Sequence, residues 1–337
     1  MQRERDDITT LLCVARLYFE ERRTQAQIAQ EVGYSRPTVS RMLARAQQIG
    51  VVRVTISHPL ERILAIEGRL RRALQLEAIR VAENAGPDPI DDVGRMASDL
   101  LLDLAEERSV IAVGNGRTVA AAARHVPLTP LPRTTIVQML GSLPGGRPEW
   151  GRDSPTICHQ IAKQLGATSA RIPIPLFVDD PGLARALLRE ERVATTMALA
   201  ARADIALVGV AGIHAPADGD VLAEYLTPEI SAAISRGAAV GHILDHHFDA
   251  EGRHVRTPLS ERTLALSLEE LRRIPTVVGV ACGPEKEEAI IAAVRGGILD
   301  ALVTDEATAE GILDRLEGTT RTDRALGTHR SGRVRPV

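Results

Sequence analysis

The chain has 337 residues, of which 44% are hydrophobic and 25% charged, and its net charge at pH 7 is −3. These values exclude a disordered or fibrous protein and an overall basic nucleic-acid-binding protein, and the length favours a small module joined to one large domain. The sequence shows neither a secretory signal nor an apolar run that could span a bilayer, so we expect a cytoplasmic protein without membrane contact. The three cysteines are odd in number and widely spaced, which supports neither a disulfide framework nor a zinc site: Cys13, Cys158 and Cys282.

Residues 1–57 are predicted to form a helix-turn-helix domain. Apolar residues recur at three- and four-residue steps over 8–21, which predicts a first helix. Thr24 and Gln27 fit the capping box, in which each side chain accepts from the other residue's backbone N–H, so a second helix begins there. Gly33 can adopt the left-handed conformation that ends this helix before a tight turn.

The third predicted helix, 36–48, presents the surface that we expect to bind DNA. Ser35 is a favourable N-cap, Pro37 fits the first turn, and a short strand, 51–56, should follow. Arginine can bridge guanine or clamp phosphate, and serine and threonine can contact base edges or backbone. A three-helix bundle whose arginines only solvate one face is the alternative. The predicted DNA-binding residues are Gln25, Ser35, Arg36, Pro37, Thr38, Ser40, Arg41 and Arg45.

The segment 58–77 is predicted to be a linker helix because its apolar residues have helical spacing. These residues are Leu60, Ile63, Leu64, Leu70 and Leu74. The stripe can pack on its own domain or pair with another subunit. Palindromic operators are read by two-fold symmetric proteins, so we expect a homo-oligomer, either a dimer or a tetramer.

Residues 78–317 are predicted to form a large Rossmann-like α/β domain. Apolar strand-like runs alternate with longer helical stretches, a pattern typical of a largely parallel sheet. The predicted strands are 109–113, 134–140, 204–210, 276–281 and 300–304. The last segment, 318–337, contains five arginines and few apolar residues, which predicts a disordered basic tail.

Two loops of this domain are candidates for an anion site, since ligands of such sheets bind where strand ends meet helix N-termini. The loop 114–118 combines two glycines, which bring backbone amides close to an anion, with a threonine hydroxyl. Lys286, one of only two lysines, lies in the first turn of a predicted helix, where a cation is unfavourable unless an anion is near. An ordinary strand-to-helix turn and a solvated surface lysine are the alternatives.

Further polar and glycine residues occur at strand ends. Gln138 can hydrogen-bond a hydroxylated ligand, or it can be a buried glutamine that the protein itself satisfies. The complete predicted effector site consists of Gly114, Asn115, Gly116, Arg117, Thr118, Gln138, Gly141, Gly209, Asp249 and Lys286.

The segment 241–249 contains residue types that bind metals, including His242, Asp245, His246 and His247. Side chains adjacent in an extended segment point to opposite faces, and the spacing fits no strict metal motif. We therefore expect neither a metal site nor a cofactor. A polar ligand wall and a plain surface remain the interpretations of this cluster.

The sequence resembles the SorC/DeoR-type sugar-responsive bacterial transcriptional regulators in both predicted domains. The stretch RTQAQIAQEVGYSRPTVSRMLARAQQIGVVRVTI is similar to their DNA-binding segment, and IAVGNGRT, TIVQMLGS, ADIALVGVAGI and VVGVACGPEKEEAIIAAVRGGILDALVTDEAT are similar to their effector domain. The resemblance implies an effector domain related to glucosamine-6-phosphate deaminase and ribose-5-phosphate isomerase. It also implies a phosphosugar or sugar-derived effector, whose phosphate would lie near Gly114, Gly116, Thr118 and Lys286, with Gln138 near its hydroxyls.

We therefore expect a DNA-binding regulator of a carbohydrate operon, such as a repressor, whose operator affinity the effector controls. The alternative is a sugar-phosphate isomerase or deaminase with an accessory helix-turn-helix. Such an enzyme needs a positioned general base, and Asp249 and His247 are the nearest options without forming a convincing pair. We expect no catalytic residues. The family commonly has an acidic residue, a glycine and an arginine where this chain has His242, Asp245 and His246. Because of this departure, the identity of the effector stays open.

Overall fold

A computed structural model describes most of the chain, in five stretches: 2–52, 59–83, 88–143, 152–213 and 225–327. The chain forms two compact units, Met1–His58 and Pro59–Val337. Most of the predicted strand over 51–56 lies outside the described residues. Among the helices that are described, none is both long and apolar enough to cross a membrane.

The first unit is a helix-turn-helix, as predicted. Its three helices are α1 (Gln2–Phe19), α2 (Gln25–Val32) and α3 (Arg36–Gln48). The capping box starts α2: the hydroxyl of Thr24 accepts from the amide of Gln27, whose side chain accepts from the amide of Thr24. Gly33 ends the helix with φ 73°. A small apolar core joins the helices and contains Val14, Leu17, Ile28, Val39 and Leu43.

The second unit is the predicted α/β domain. Its α-helices in the described residues are α4 (Pro59–Leu74), α5 (Pro89–Leu104), α6 (Arg117–His125), α7 (Ser154–Leu165), α8 (Pro181–Leu188), α9 (Glu191–Ala200), α10 (Pro228–Arg236), α11 (Leu268–Leu271), α12 (Glu287–Arg295) and α13 (Glu306–Gly327). Its strands are β1 (Ala78–Ala82), β2 (Val110–Val113), β3 (Thr135–Gln138), β4 (Thr168–Ala170), β5 (Ile205–Gly209), β6 (Ala211–Gly212), β7 (Ala239–Ile243), β8 (His246–Asp249), β9 (Thr276–Val280) and β10 (Ala301–Asp305).

Seven strands form one parallel sheet in the order β1-β10-β9-β5-β2-β3-β4. The chain runs outward from β2 towards one edge and from β5 towards the other, so the strand order reverses between these two neighbours. Crevices at such switch points hold ligands in open α/β sheets. A smaller antiparallel sheet, β6-β7-β8, adds a hairpin to this fold.

Helices cover both faces of the large sheet and form two apolar layers. One layer includes α5, α6 and α7, and the other includes α10, α12, α13 and the linker helix α4. Parallel sheets are stable only when both faces are covered in this way.

The linker helix packs on its own domain through one part of its apolar stripe. Ile63, Leu70 and Leu74 are buried in that layer, as is Ile66, which the sequence interpretation omits. Leu60 and Leu64 are 54% and 56% exposed. The packing of α4 on its own domain therefore does not involve these two leucines, and pairing with another subunit stays a prediction for them.

The predicted disordered tail, 318–337, is wrong over its first part, because α13 continues to Gly327. The start of this helix is anchored by buried Ile312 and Leu313. Extending an existing helix by one residue avoids the cost of nucleation, so a polar segment can follow as further turns. Residues 328–337 lie outside the described part of the chain.

Candidate functional site

The outward face of α3 is the first candidate site. Val39, Leu43 and Ala46 are buried against the other helices of the unit. At 100° per residue, the face opposite this stripe is centred near Arg41. The side chains on this outward face are exposed: Pro37, Ser40, Arg41, Ala44, Arg45 and Gln48.

The arginines of this face are available for an outside partner. In the part of the unit that the structure describes, ion pairs join Arg23 to Glu21 and Glu31 and involve no arginine of α3. The predicted set of DNA-binding residues did not include Ala44 and Gln48. Helical periodicity alone could have found them, and an alanine methyl can contact the thymine methyl group.

Ser35 and Thr38 have a local structural use. The hydroxyl of Ser35 accepts from the backbone N–H of Thr38 at 3.4 Å, and the two hydroxyls are 2.8 Å apart. These contacts start α3, so the pair is less available for reading DNA than Ser40 is.

Arg36 is at the edge of the outward face of α3. It lines a surface groove together with Arg22 and Gln25, next to the beginning of α2. A helix N-terminus and arginines form a positive environment that suits a phosphate group. Arg36 therefore lies beside a candidate phosphate position, whereas Arg41 lies at the centre of the outward face.

The second candidate site lies at the switch point of the large sheet. The loop 114–118 follows β2, and Gly209 ends the neighbouring strand β5. A Cβ atom on Gly209 would be 3.4 Å from the carbonyl oxygen of Asn115 and 3.8 Å from Oγ1 of Thr118. The predicted residues of these two loops are therefore brought together.

Lys286 joins this site from the short 3₁₀-helix Pro284–Lys286, and only 7% of its surface is exposed. Strand β6 packs on that turn, since a Cβ on Gly212 would be 2.1 Å from the carbonyl oxygen of Glu285. Burial lowers the pKa of Lys286, and the positive charge of Arg117 contributes in the same direction. Buried Lys286 thus lies close enough to exposed Arg117 to feel its charge, while Glu285 and Asp305 act on the pKa of Lys286 in the opposite direction.

The first turn of α6 supplies a further feature for an anion. Gly116 precedes the helix with φ 108°, and no side chain from the described part of the protein caps it. The dipole of the helix favours a negative group there. Lys286, Arg117 and this helix start together form an anion-binding environment.

The proposed use of the Thr118 hydroxyl needs correction. Its Oγ1 donates to the carbonyl oxygen of Val280 at 2.7 Å, and the residue is 5% exposed. Because a hydroxyl has a single proton to donate, this side chain ties α6 to β9 and cannot donate to an anion at the same time.

Gln138 and Gly141 are also explained by the fold. The fully buried Gln138 side chain donates to the carbonyl oxygen of Leu140 and accepts from the amide of Ile172, at 2.8 and 2.9 Å. A Cβ on Gly141 would lie 2.2 Å from the carbonyl oxygen of Pro175. The alternative of a buried, satisfied glutamine therefore describes Gln138 better than a ligand contact does.

Asp249 lies away from the effector loops. It ends β8, at the opposite end of that strand from the hairpin turn at Leu244 and Asp245. Its Oδ1 accepts from the amides of Glu251 and Arg253, at 3.0 and 2.9 Å. These bonds build the following turn, so Asp249 is a structural aspartate.

The hairpin turn brings two residues to the site that the predicted set omitted. Asn115 donates to Oδ2 of Asp245 at 3.4 Å, and Nδ1 of His242 is 3.8 Å from Oδ1 of the same carboxylate. The departure from the family pattern was the signal available in the sequence. Across the described residues, no group of three or more metal-binding side chains is found.

The fold and these two candidate sites define a class: a DNA-binding protein that joins a helix-turn-helix to an α/β domain. A sequence profile described as "Putative sugar-binding domain" matches residues 58–314, and one for a winged helix-turn-helix DNA-binding domain matches residues 17–53. The chain belongs to the family of SorC/DeoR-type sugar-responsive transcriptional regulators.

Individual relatives agree with this assignment over nearly the whole chain. The sorbitol operon regulator of Klebsiella pneumoniae is 30% identical over 311 residues, which cover 91% of this chain and 98% of the relative. The erythritol catabolism regulatory protein EryD of Brucella abortus is 28% identical and covers 93% of this chain and 98% of its own. The crystal structure of full-length SorC from K. pneumoniae is similar with a TM-score of 0.72 at 29% identity, covering 91% of this chain and 99% of that one.

Proposed function

We propose that this protein regulates a carbohydrate operon and that a phosphosugar or another phosphorylated sugar derivative controls its affinity for the operator. The buried cation Lys286, with the exposed Arg117 near it at the start of α6, carries this proposal. A buried charge needs compensation, which Glu285 and Asp305 supply in part, and a phosphate would add two negative charges and several acceptor oxygens. The phosphate would be held by Lys286, Arg117 and the amides of the loop 114–118.

The effector domain also contains a route from this site to the linker helix. The amide of Gly283, in the loop before Lys286, donates to Oγ1 of Thr308, which is hydrogen-bonded to Asp305. The next residue, Glu306, accepts from Arg62 of α4 at 2.7 Å. Effector binding at Gly283–Lys286 can therefore act on the first turn of α13 and, through it, on the helix that follows the DNA-binding unit.

A homo-oligomer, as a dimer or tetramer, fits the exposed part of α4. Leu60 and Leu64 line a cleft of about 560 Å³ that also includes Met96. One backbone donor of the neighbouring edge strand β1 is already occupied, because the buried Glu67 side chain accepts from the amide of Val81 at 2.9 Å. We propose that subunits associate through this leucine face and not by pairing their β1 strands.

We further infer that the protein acts without turnover in the cytoplasm, where its double-stranded operator DNA is accessible. The relatives are named as transcriptional regulators. The structure adds a reason: the carboxylate that we considered as a general base, Asp249, is engaged in a turn. Release of isomerised or deaminated product from ribose-, deoxyribose- or glucosamine-phosphates would contradict this inference.

Binding of a labelled operator, selected from random DNA, tests the proposal in the presence of a panel of phosphosugars. We expect at least one to change operator affinity and to raise the melting temperature of the protein. Replacing Lys286 with alanine should weaken effector binding by about ten- to a hundredfold, because it removes a charged hydrogen bond, and leave effector-free DNA binding unchanged. Lys163→Ala is the matched control, since this exposed lysine on α7 is the other lysine of the chain. An unchanged response in Lys286→Ala would contradict the proposed site.

A further inference from the structure

The turn between β7 and β8 holds two ordinary residues in a conformation that favours glycine. Leu244 has φ 49° and Asp245 has φ 61°, while Ile243 and His246 are paired across the hairpin. Two-residue turns with positive φ at both positions usually contain asparagine and glycine, and a leucine there is disfavoured. Such strain persists where other contacts hold it, and it is concentrated at functional sites.

The contacts that hold this turn come from the candidate phosphate loop. The side chain of Leu244 is 4% exposed, and its Cδ2 is 3.2 Å from the position that a Cβ on Gly114 would occupy. The side-chain Nδ2 of the next loop residue, Asn115, donates to Oδ2 of Asp245. Two consecutive turn residues thus contact two consecutive residues of the loop.

The turn gives the pocket a carboxylate in addition to its cations. Asp245 is 5% exposed, and His242 lies beside it. Burial, together with the charge of Lys286, lowers the pKa of His242 to about 4. The imidazole is therefore neutral at neutral pH and adds no positive charge beside Asp245. The site thus combines positive groups with a buried carboxyl group.

We infer that Asp245 selects the effector by accepting hydrogen bonds from its hydroxyl groups. This inference rests on the proposed phosphosugar function. A carboxylate accepts but does not donate, so hydroxyls satisfy it, whereas a second carboxylate would meet repulsion in a buried environment. The favoured class is phosphorylated sugars and polyols with an uncharged hydroxylated end. Phosphorylated sugar acids are excluded.

Calorimetric titration with matched ligands tests this selection in the wild-type full chain. The members of each pair differ by a hydroxymethyl group or a carboxylate at one carbon: sorbitol 6-phosphate and 6-phosphogluconate, ribitol 5-phosphate and 5-phosphoribonate, and galactose 1-phosphate and galacturonate 1-phosphate. We expect the neutral member of a pair to bind more tightly by about tenfold or more. Equal affinity within the bound pairs would overturn the inference. If no member of any pair binds, the phosphosugar function fails and the inference with it.

A single substitution separates the selecting role of Asp245 from the phosphate site. Asp245→Asn removes the charge, and asparagine tolerates the left-handed conformation of the turn. We expect this variant to bind the neutral ligand about ten- to a hundredfold more weakly and to discriminate less against the acid. Its affinity for inorganic phosphate should not fall below that of wild type, because the substitution removes a negative charge near the anion, whereas Lys286→Ala should lose affinity for both ligands.

Two results would contradict the role of Asp245 while the phosphosugar function stands. In the first, Asp245→Asn keeps the wild-type ratio between neutral and acidic ligands. In the second, its affinity for inorganic phosphate falls as strongly as its affinity for the sugar phosphate, which would indicate damage to the whole site. Asp245→Gly, which suits the turn better, is the second variant if asparagine lowers the melting temperature, and it should show the same altered ratio.

Discussion

Burial determines the protonation of two histidines in the β7–β8 hairpin. His246 is 5% exposed, and burial, with a contribution from His254, lowers its pKa to about 3. For His242, burial and the charge of Lys286 lower the pKa to about 4. Neither ring is charged at neutral pH. Both regain an ordinary pKa near 6.5 only when the chain unfolds.

These shifts predict a loss of stability in mild acid. Between the unfolded pKa of 6.5 and the folded values of about 4 and about 3, the unfolded chain binds more protons than the folded one. The free energy of unfolding therefore falls as the pH drops below 6.5, by about 1 kcal/mol for each histidine between pH 7.5 and pH 5.5. Urea unfolding at the two pH values, followed by circular dichroism, measures the difference.

The variant His246→Phe isolates one of the two contributions. It should reduce the difference between pH 7.5 and pH 5.5 by about 1 kcal/mol, whatever its effect on stability at either single pH. An equal or greater stability of the wild type at pH 5.5 would show that these rings are not held neutral by burial.

Among the elements, α3 places two of its arginines in different surroundings. Arg41 lies opposite the buried stripe of the helix, while Arg36 lines a groove with Arg22 at the start of α2. We expect Arg41 to read a base edge and Arg36 to hold a phosphate. The two roles differ in how affinity depends on sequence and on salt.

Arg41→Ala should cost about 1 to 3 kcal/mol on the selected operator and relax preference at one base pair. Arg36→Ala should weaken specific and random DNA alike and lower the slope of log affinity against log salt by about 1. Fluorescence anisotropy over a salt series distinguishes them, with exposed Arg192 of α9, replaced by alanine, as the control. Identical profiles for the two variants would contradict the assignment.

The sequence predicts those elements whose formation depends on residues close to them in the chain. The capping box at Thr24 and the buried runs of β2, β5 and β9 follow from local pattern, and all are present. The edge strand β4, with the sequence TSA, was missed because a short, partly exposed strand has no apolar run. Its pairing depends on β3, which is distant in sequence.

Site residues were harder to predict for the same reason. The residue type of Gln138 suits a ligand, but its partners Leu140 and Ile172 are supplied by the tertiary fold. Asp245 reaches Asn115 across 130 positions of sequence, so no local pattern could place them together. Periodicity locates a face of a helix, whereas a pocket at a switch point requires the order of the strands.

The contact between α13 and α4 predicts how effector binding is transmitted. Arg62→Gln breaks the bond to Glu306, which adjoins the effector site through Asp305 and Thr308. We expect normal effector binding and normal effector-free DNA binding, with the coupling between them reduced by about 0.5 to 2 kcal/mol. Titrations of DNA with and without effector, and of effector with and without DNA, must give the same coupling.

A second arginine of the same helix is a matched control. Arg69 donates to Glu317 of α13 at 2.8 Å, and both side chains are exposed. Surface pairs of this kind contribute little, so Arg69→Gln should leave the coupling at its wild-type value. If Arg62→Gln and Arg69→Gln reduce the coupling equally, the specific route through Glu306 is wrong.

At the scale of the whole molecule, we expect the exposed leucines of α4, Leu60 and Leu64, to form the subunit interface. Burying a leucine contributes about 1.5 to 3 kcal/mol, and a symmetric interface counts each residue twice. The double substitution Leu60→Glu and Leu64→Glu should therefore give a monomer in light scattering at concentrations where the wild type is an oligomer. Because both side chains are exposed in the single subunit, the monomeric variant should stay folded, which circular dichroism checks.

The same variant should bind an operator of two half-sites more weakly than the wild type, but a single half-site equally well, since only simultaneous binding of both half-sites needs the oligomer. Leu128→Glu is the control, because Leu128 is 82% exposed and lies outside α4. A wild-type mass for the α4 variant would place the interface elsewhere. A monomeric variant that keeps full affinity for the two-half-site operator would instead separate oligomer formation from DNA binding.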